Sequence, residues 1–116
     1  MAYPVVNPFK TRVLNASSSS SNTMMSVAVP ARAKLMGAFY ATTPLQTHTA
    51  VGTADITVNG STAAGMTGIT VSTSTGNSST NLGIPTSTVF LNAGDVLATV
   101  LSSCVGGNTS FVLREF

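Results

Sequence analysis

The side chains best suited to acid–base, nucleophilic or metal-ligating chemistry are few in this 116-residue sequence: Asp55, Asp95, Glu115, His48 and Cys104. General acid–base catalysis needs a second acid, a base or a metal beside the first group, and no motif brings any two of these residues together. Asp95 closes the stretch Asn92-Ala93-Gly94-Asp95 between the apolar runs TVFL and VLATVL. There a carboxylate can accept from nearby backbone N–H groups while glycine takes a left-handed conformation, so the stretch reads as a turn. His48 lies in the polar stretch PLQTHTAVGTAD and reads as a solvated loop residue, the alternative being a pH-sensitive contact. Cys104 has no neighbouring cation to lower its pKa and reads as a packed, inert thiol. A lone cysteine forms no intrachain disulfide, and zinc needs several Cys or His ligands. Phosphate-loop and G-x-S-x-G patterns are absent. The sequence therefore predicts no catalytic residue, no metal, no cofactor and no enzyme.

Composition favours a subunit. Charged residues make up 7% of the chain, against about 25% in ordinary soluble domains, while hydrophobic residues at 43% are near normal. Hydroxyls replace the missing charge, with 15 Ser and 18 Thr. Such a surface hydrogen-bonds without the desolvation cost of ions and is buried against a partner more cheaply. The formal net charge of +2 comes from five scattered cations, which form no basic stripe. With two tyrosines and no tryptophan there is no stacking platform either, so nucleic acid is not an expected partner. No run approaches the roughly 18 apolar residues of a membrane span, and the start lacks the apolar core of a secretory signal. The expectation is synthesis in a cytoplasm and no membrane partner.

At this length one domain suffices. Residues 1–22 divide into YPVVNPF, KTRVL and a serine run, which together read as an arm and joint or, on composition alone, as a disordered tail. Tyr3, Val5, Val6 and Phe9 are apolar enough to favour an arm that docks on a partner. From residue 23 to 116, β-type runs alternate with turn chemistry at the spacing of a sandwich or barrel. The expected strands cover residues 23–29, 31–42, 54–59, 68–72, 87–91, 96–102 and 109–116, with an eighth if KTRVL pairs. Asn59-Gly60 supplies a tight turn, and Gly106-Gly107-Asn108 a turn for a last hairpin. Residues 72–87 read as a hydroxyl-rich loop without β-periodicity.

Strand alternation then nominates contact residues. In VLATVLS, Val96, Ala98 and Val100 share one face and Leu97, Thr99 and Leu101 the other. Both faces are apolar, so either the strand is central and covered on both sides or one side meets another subunit, which makes Leu97 and Leu101 candidates. In ARAKLMGAFYAT, Leu35, Gly37, Phe39 and Ala41 suit a core. Met36 and Tyr40, opposite them, become candidates for a partner-binding surface.

The succession VAVPARAKLMGAFYAT, ADITVNG, FLNAGDVLATV and SFVLREF, spanning residues 27–116, resembles the small β-sandwich cement or decoration proteins of tailed bacteriophage capsids. The resemblance implies a single jelly-roll-like antiparallel β-sandwich with an extended N-terminal arm. It also implies a structural virion protein on the outer capsid surface that self-associates, as a dimer or trimer, and clamps subunits of the major capsid protein. The alternative is a carbohydrate-binding or receptor-binding module of a phage fibre tip, with the 72–87 loop as its recognition surface. The shortage of aromatic residues weighs against a sugar platform.

Overall fold

β-Branched and apolar residues interleaved with hydroxyls make this an all-β chain. The computed structural model describes residues 10–18, 23–41, 52–71, 79–103 and 107–116. In order the strands are β1 (Lys10–Ser18), β2 (Met24–Ala28), β3 (Ala33–Ala41), β4 (Gly52–Val58), β5 (Ser61–Thr62), β6 (Ile69–Val71), β7 (Ser79–Gly83), β8 (Phe90–Leu91), β9 (Val96–Ser102) and β10 (Gly107–Glu115). All pair antiparallel in two sheets. The first sheet runs β1-β10-β3, with β7 and β8 lying end to end along the far edge of β3. The second runs β2-β9-β4, with β5 and β6 sharing the far edge of β4.

The inward faces of the two sheets make one core. In β10, Thr109, Phe111 and Leu113 are buried while Asn108 and Arg114 are exposed, the alternation of a strand covered on one side. Facing them are Met25 of β2, Ile56 of β4, and Leu97, Thr99 and Leu101 of β9. Each of the larger side chains stabilises the fold by about 1.5–3 kcal/mol on burial. The core also holds a polar link between sheets. Thr99 donates to the Thr109 hydroxyl at 2.9 Å, and Thr109 donates to the Met25 sulfur at 3.1 Å, so both buried hydroxyls are satisfied.

Four expectations are corrected. First, residues 10–18 of the expected arm are a strand: β1 pairs with β10 along its whole length, from Lys10 opposite Glu115 to Ser18 opposite Gly107. Among the described residues the sandwich thus includes residues before 23, and the eighth strand allowed for KTRVL is present, because Leu14 and Ala16 find apolar cover on the core side. Second, the parity of β3 changes midway. Leu113 lies opposite Leu35 and Val112 opposite Gly37, so Met36 is an extra residue in a β-bulge. Ala33 and Leu35 point inward before it, Ala38 and Tyr40 after it. Phe39, expected in the core, is 46% exposed, while Tyr40 is 1% exposed. Third, β9 and β10 form no hairpin, because the chain crosses from the second sheet to the first between them. Gly107, at φ 115°, packs against Tyr40, and a Cβ there would fall 2.8 Å from that ring. Fourth, β7 falls inside the stretch expected to be a structureless loop.

Candidate interaction face

With the core face of β3, β10 and β1 fixed, their remaining side chains form the outer face of the first sheet, readable row by row from the register. One row runs Thr11, Arg114, Lys34, Phe90. The next runs Val13, Val112, Gly37, with Ile84 beyond: a Cβ on Gly37 would lie 3.7 Å from Ile84 Cγ2. The third runs Asn15, Ser110, Phe39, Asn81, with the Ser110 hydroxyl donating to the Asn15 side-chain Oδ1 at 2.8 Å. An apolar band of Val13, Val112 and Ile84, joined by Phe39 from the third row, therefore crosses the sheet, with two cations to one side and the amides and hydroxyls of that third row to the other.

Of the seven large hydrophobic side chains exposed among the described residues, five belong to this face or its rim: Val13, Phe39, Ile84 at 73%, Phe90 at 67%, and Phe116. The rings of Phe90 and Phe116 sit 5.8 Å apart, tilted by 45°. Such a concentration on one face sets a candidate interaction surface apart from singly scattered exposed apolar residues.

A groove opens at the margin of the band. β7 ends at Gly83 and β8 begins at Phe90, so residues 84–89 bow away from β3 between them. The bow is tied down where Leu35 N–H donates to Val89 O at 3.0 Å and Thr86 N–H donates to Ala64 O at 2.9 Å. The Thr86 side chain fills the space that a Cβ on Gly65 would need. The result is a groove of about 260 Å³ lined by Lys34, Met36, Ile84, Pro85, Thr86 and Thr88 among others. It is large enough for one side chain or one compact sugar ring, below the usual range for larger ligands.

Of the residues nominated from sequence, Met36 is half-buried and lines this groove. Tyr40, Leu97 and Leu101 are core residues, buried between the sheets, and present nothing to a partner. For Tyr40 the cause is the bulge at Met36. For Leu97 and Leu101 it is that β9 is central in its sheet and turns this face to the core. Tyr3, Val5, Val6, Phe9, His48 and Cys104 lie outside the described residues. Sequence reasoning missed Ile84, Phe90 and Phe116, and read Val13 only as one of the apolar residues of the arm. Val13 and Val112 carried a signal, each being an apolar residue one step out of phase with a core neighbour.

The three carboxylates are occupied structurally. Asp95 accepts from the backbone N–H of Asn92 at 2.8 Å and from the Asn59 side-chain amide at 3.0 Å. Those two hydrogen bonds, the backbone one first, hold its carboxyl below the usual value of 3.8. Asn59 in turn accepts from Val96 N–H at 2.9 Å, and Gly94 N–H donates to Val29 O at 2.8 Å, so the turn staples three segments of the second sheet. Asp55 accepts from Gly68 N–H at 2.5 Å and from the Thr67 hydroxyl at 3.1 Å. Glu115 pairs with Arg12 across β1 and β10. Among the described residues no group of three His, Cys, Asp or Glu is placed to hold a metal ion, and no helix is long and apolar enough to cross a membrane. Comparison with protein-family models, with curated proteins and with solved structures finds no match to this chain.

Proposed function

We propose that this chain is a structural, non-enzymatic virion protein that binds the outside of an assembled capsid, self-associates, and stabilises contacts between subunits of the major capsid protein. The carrying observation is the apolar band of Val13, Val112, Phe39 and Ile84 on a chain so poor in charge. Covering a band of this kind requires a partner surface and no chemistry. Its flank of Lys34 and Arg114, facing each other across β3 and β10, suits a partner surface that is acidic there. Residues 1–9, with Tyr3, Val5, Val6 and Phe9, directly precede β1 and are proposed as an arm that adds a second contact; several modest contacts together give avidity.

The sandwich is proposed to be a jelly roll. Its pairing order supports this: β1 with β10, β2 with β9, β3 with β7 and β8, β4 with β5 and β6. First pairs with last and second with second-last, the pattern of one long antiparallel ribbon rolled into two sheets.

Co-sedimentation tests the reading. Wild-type protein is expected to pellet with assembled shells and not to bind unassembled coat protein, with Ile84→Lys weakening retention about tenfold or more without lowering the melting temperature. Wild-type protein that fails to pellet with shells overturns it. The groove favours a second reading, a carbohydrate-binding module, because the polar residues Lys34, Thr86 and Thr88 line one small recess. Glycan-array binding lost in Lys34→Gln, with no retention on shells, would establish that reading instead.

A further inference from the structure

The sandwich has four lateral edges, and three are guarded. β1 carries Lys10 and Arg12. The edge formed by β7 and β8 is interrupted by the bow at residues 84–89, which contains Pro85. The opposite edge of the second sheet is split into β5 and β6, two and three residues long. Charges, prolines and short broken strands are the devices that keep an edge from recruiting another strand. β2 has none of them. Met24–Ala28 is five continuous residues without a charge, and among the described residues its only strand partner is β9.

The hydrogen-bond phase of that edge can be read. Leu101 N–H donates to Thr23 O at 2.6 Å, and Val29 N–H donates to Asp95 O at 2.8 Å. Both bonds lie in the register that sets Met25 opposite Thr99 and Val27 opposite Leu97. In an antiparallel ladder the narrow pairs recur at every second residue, so the main chain of Met25 and Val27 turns toward β9. The N–H and C=O groups of Met24, Ser26 and Ala28 point the other way, to the open edge.

We infer that β2 pairs with β2 of a second copy, antiparallel about a two-fold axis at Ser26. That register sets Ser26 opposite Ser26 of the second copy and Met24 opposite its Ala28, and each facing pair is a narrow pair able to exchange two hydrogen bonds. The two second sheets then become one continuous sheet, on whose outer face the exposed Met24 and Val96 of both copies gather. Charge selects the same occupant. Neither β2 nor β9 carries a charged side chain, so this edge meets its own copy without repulsion. The inference rests on the self-association proposed above and names its interface.

The full-length chain tests it by light scattering after size exclusion and by amide hydrogen exchange. Wild type should become dimeric with rising concentration, and the amides of Met24, Ser26 and Ala28 should slow with it, while those of Met25 and Val27 stay protected at every concentration. Ser26→Pro removes only an outward N–H, which an edge strand tolerates, so a folded monomer is expected with the dimer lost. Ser26→Thr should keep the dimer. A dimer that survives Ser26→Pro, or exchange at Met24, Ser26 and Ala28 that is independent of concentration while a dimer forms, overturns the β2 interface and leaves self-association standing. Wild type monomeric at all concentrations overturns both. Should Ser26→Pro fail to fold, the exchange pattern of wild type decides alone.

Discussion

On the first sheet the outward residues run Val13, Val112, Phe39 and Ile84, with Lys34 and Arg114 beside them; on the second they run Met24, Ser26, Val96 and Val100, with no cation among them. Both surfaces are apolar at their centres. They differ in what they can meet. A face that carries Lys34 and Arg114 suits an acidic partner, while an open strand with no charge on it or on the strand beside it can pair with its own copy. On the function proposed above, a single small sandwich would divide its contacts, with one surface for a partner and one edge for self-pairing. The two sheets meet in the core, where Phe111 and Leu113 of the first pack with Ile56, Leu97 and Leu101 of the second.

The largest expected effect separates core from contact surface. Phe111→Ala empties the middle of the sandwich and should cost about 3–5 kcal/mol in chemical denaturation. Phe39→Ala, on the same sheet but on its outer side, should cost under about 1 kcal/mol. Equal losses would mean that the outer band is part of the domain's own packing and would remove the contrast between the faces.

A middle-sized effect tests the polar link between sheets. Thr109→Val removes the acceptor of the Thr99 hydroxyl and the donor to Met25, leaving a buried hydroxyl unsatisfied, and should cost about 1–3 kcal/mol. In the double variant Thr99→Val with Thr109→Val no orphaned hydroxyl remains, so it should be more stable than Thr109→Val alone. A double variant at least as damaged as the sum of the singles would show that the sheets are not coupled through this bond.

Much of the architecture is legible in the sequence because it rests on local rules. The alternation in SFVLREF and ADITVN, the turn at Asn59-Gly60 and the turn at Asp95 each follow from a few adjacent residues, and all three are observed. What is not legible depends on partners distant in the chain. The bulge at Met36 exists only relative to β10, about 75 residues away, yet it reverses the faces of Phe39 and Tyr40 and so moves one contact candidate into the core. β1 looks like an arm until β10 is there to pair with it. The contact band likewise draws Val13, Val112, Phe39 and Ile84 from four separate segments, and no spacing rule links them.

The smallest effect is confined to the second sheet, where Asp95 staples the turns around Val29, Asn59 and Asn92. Its counterpart on the first sheet, the Arg12–Glu115 pair, joins two adjacent strands and holds no turn. Because the folded carboxyl of Asp95 lies below 3.8, the folded state binds its proton less readily than the unfolded chain does. The stabilisation is therefore fully present well above that value and is lost as pH falls through it toward the lower folded pKa. The melting temperature of wild type should drop with acidification in that window more steeply than that of Asp95→Asn, which has nothing to protonate there. At neutral pH Asp95→Ala should melt below Asp95→Asn, since asparagine keeps an acceptor for the Asn92 N–H. The loss should appear first in exchange of the amides of Val29, Asn59 and Val96, with those of β1 and β10 unmoved. Uniform acceleration across both sheets would show instead that the turn governs the whole sandwich and that the two sheets do not loosen separately.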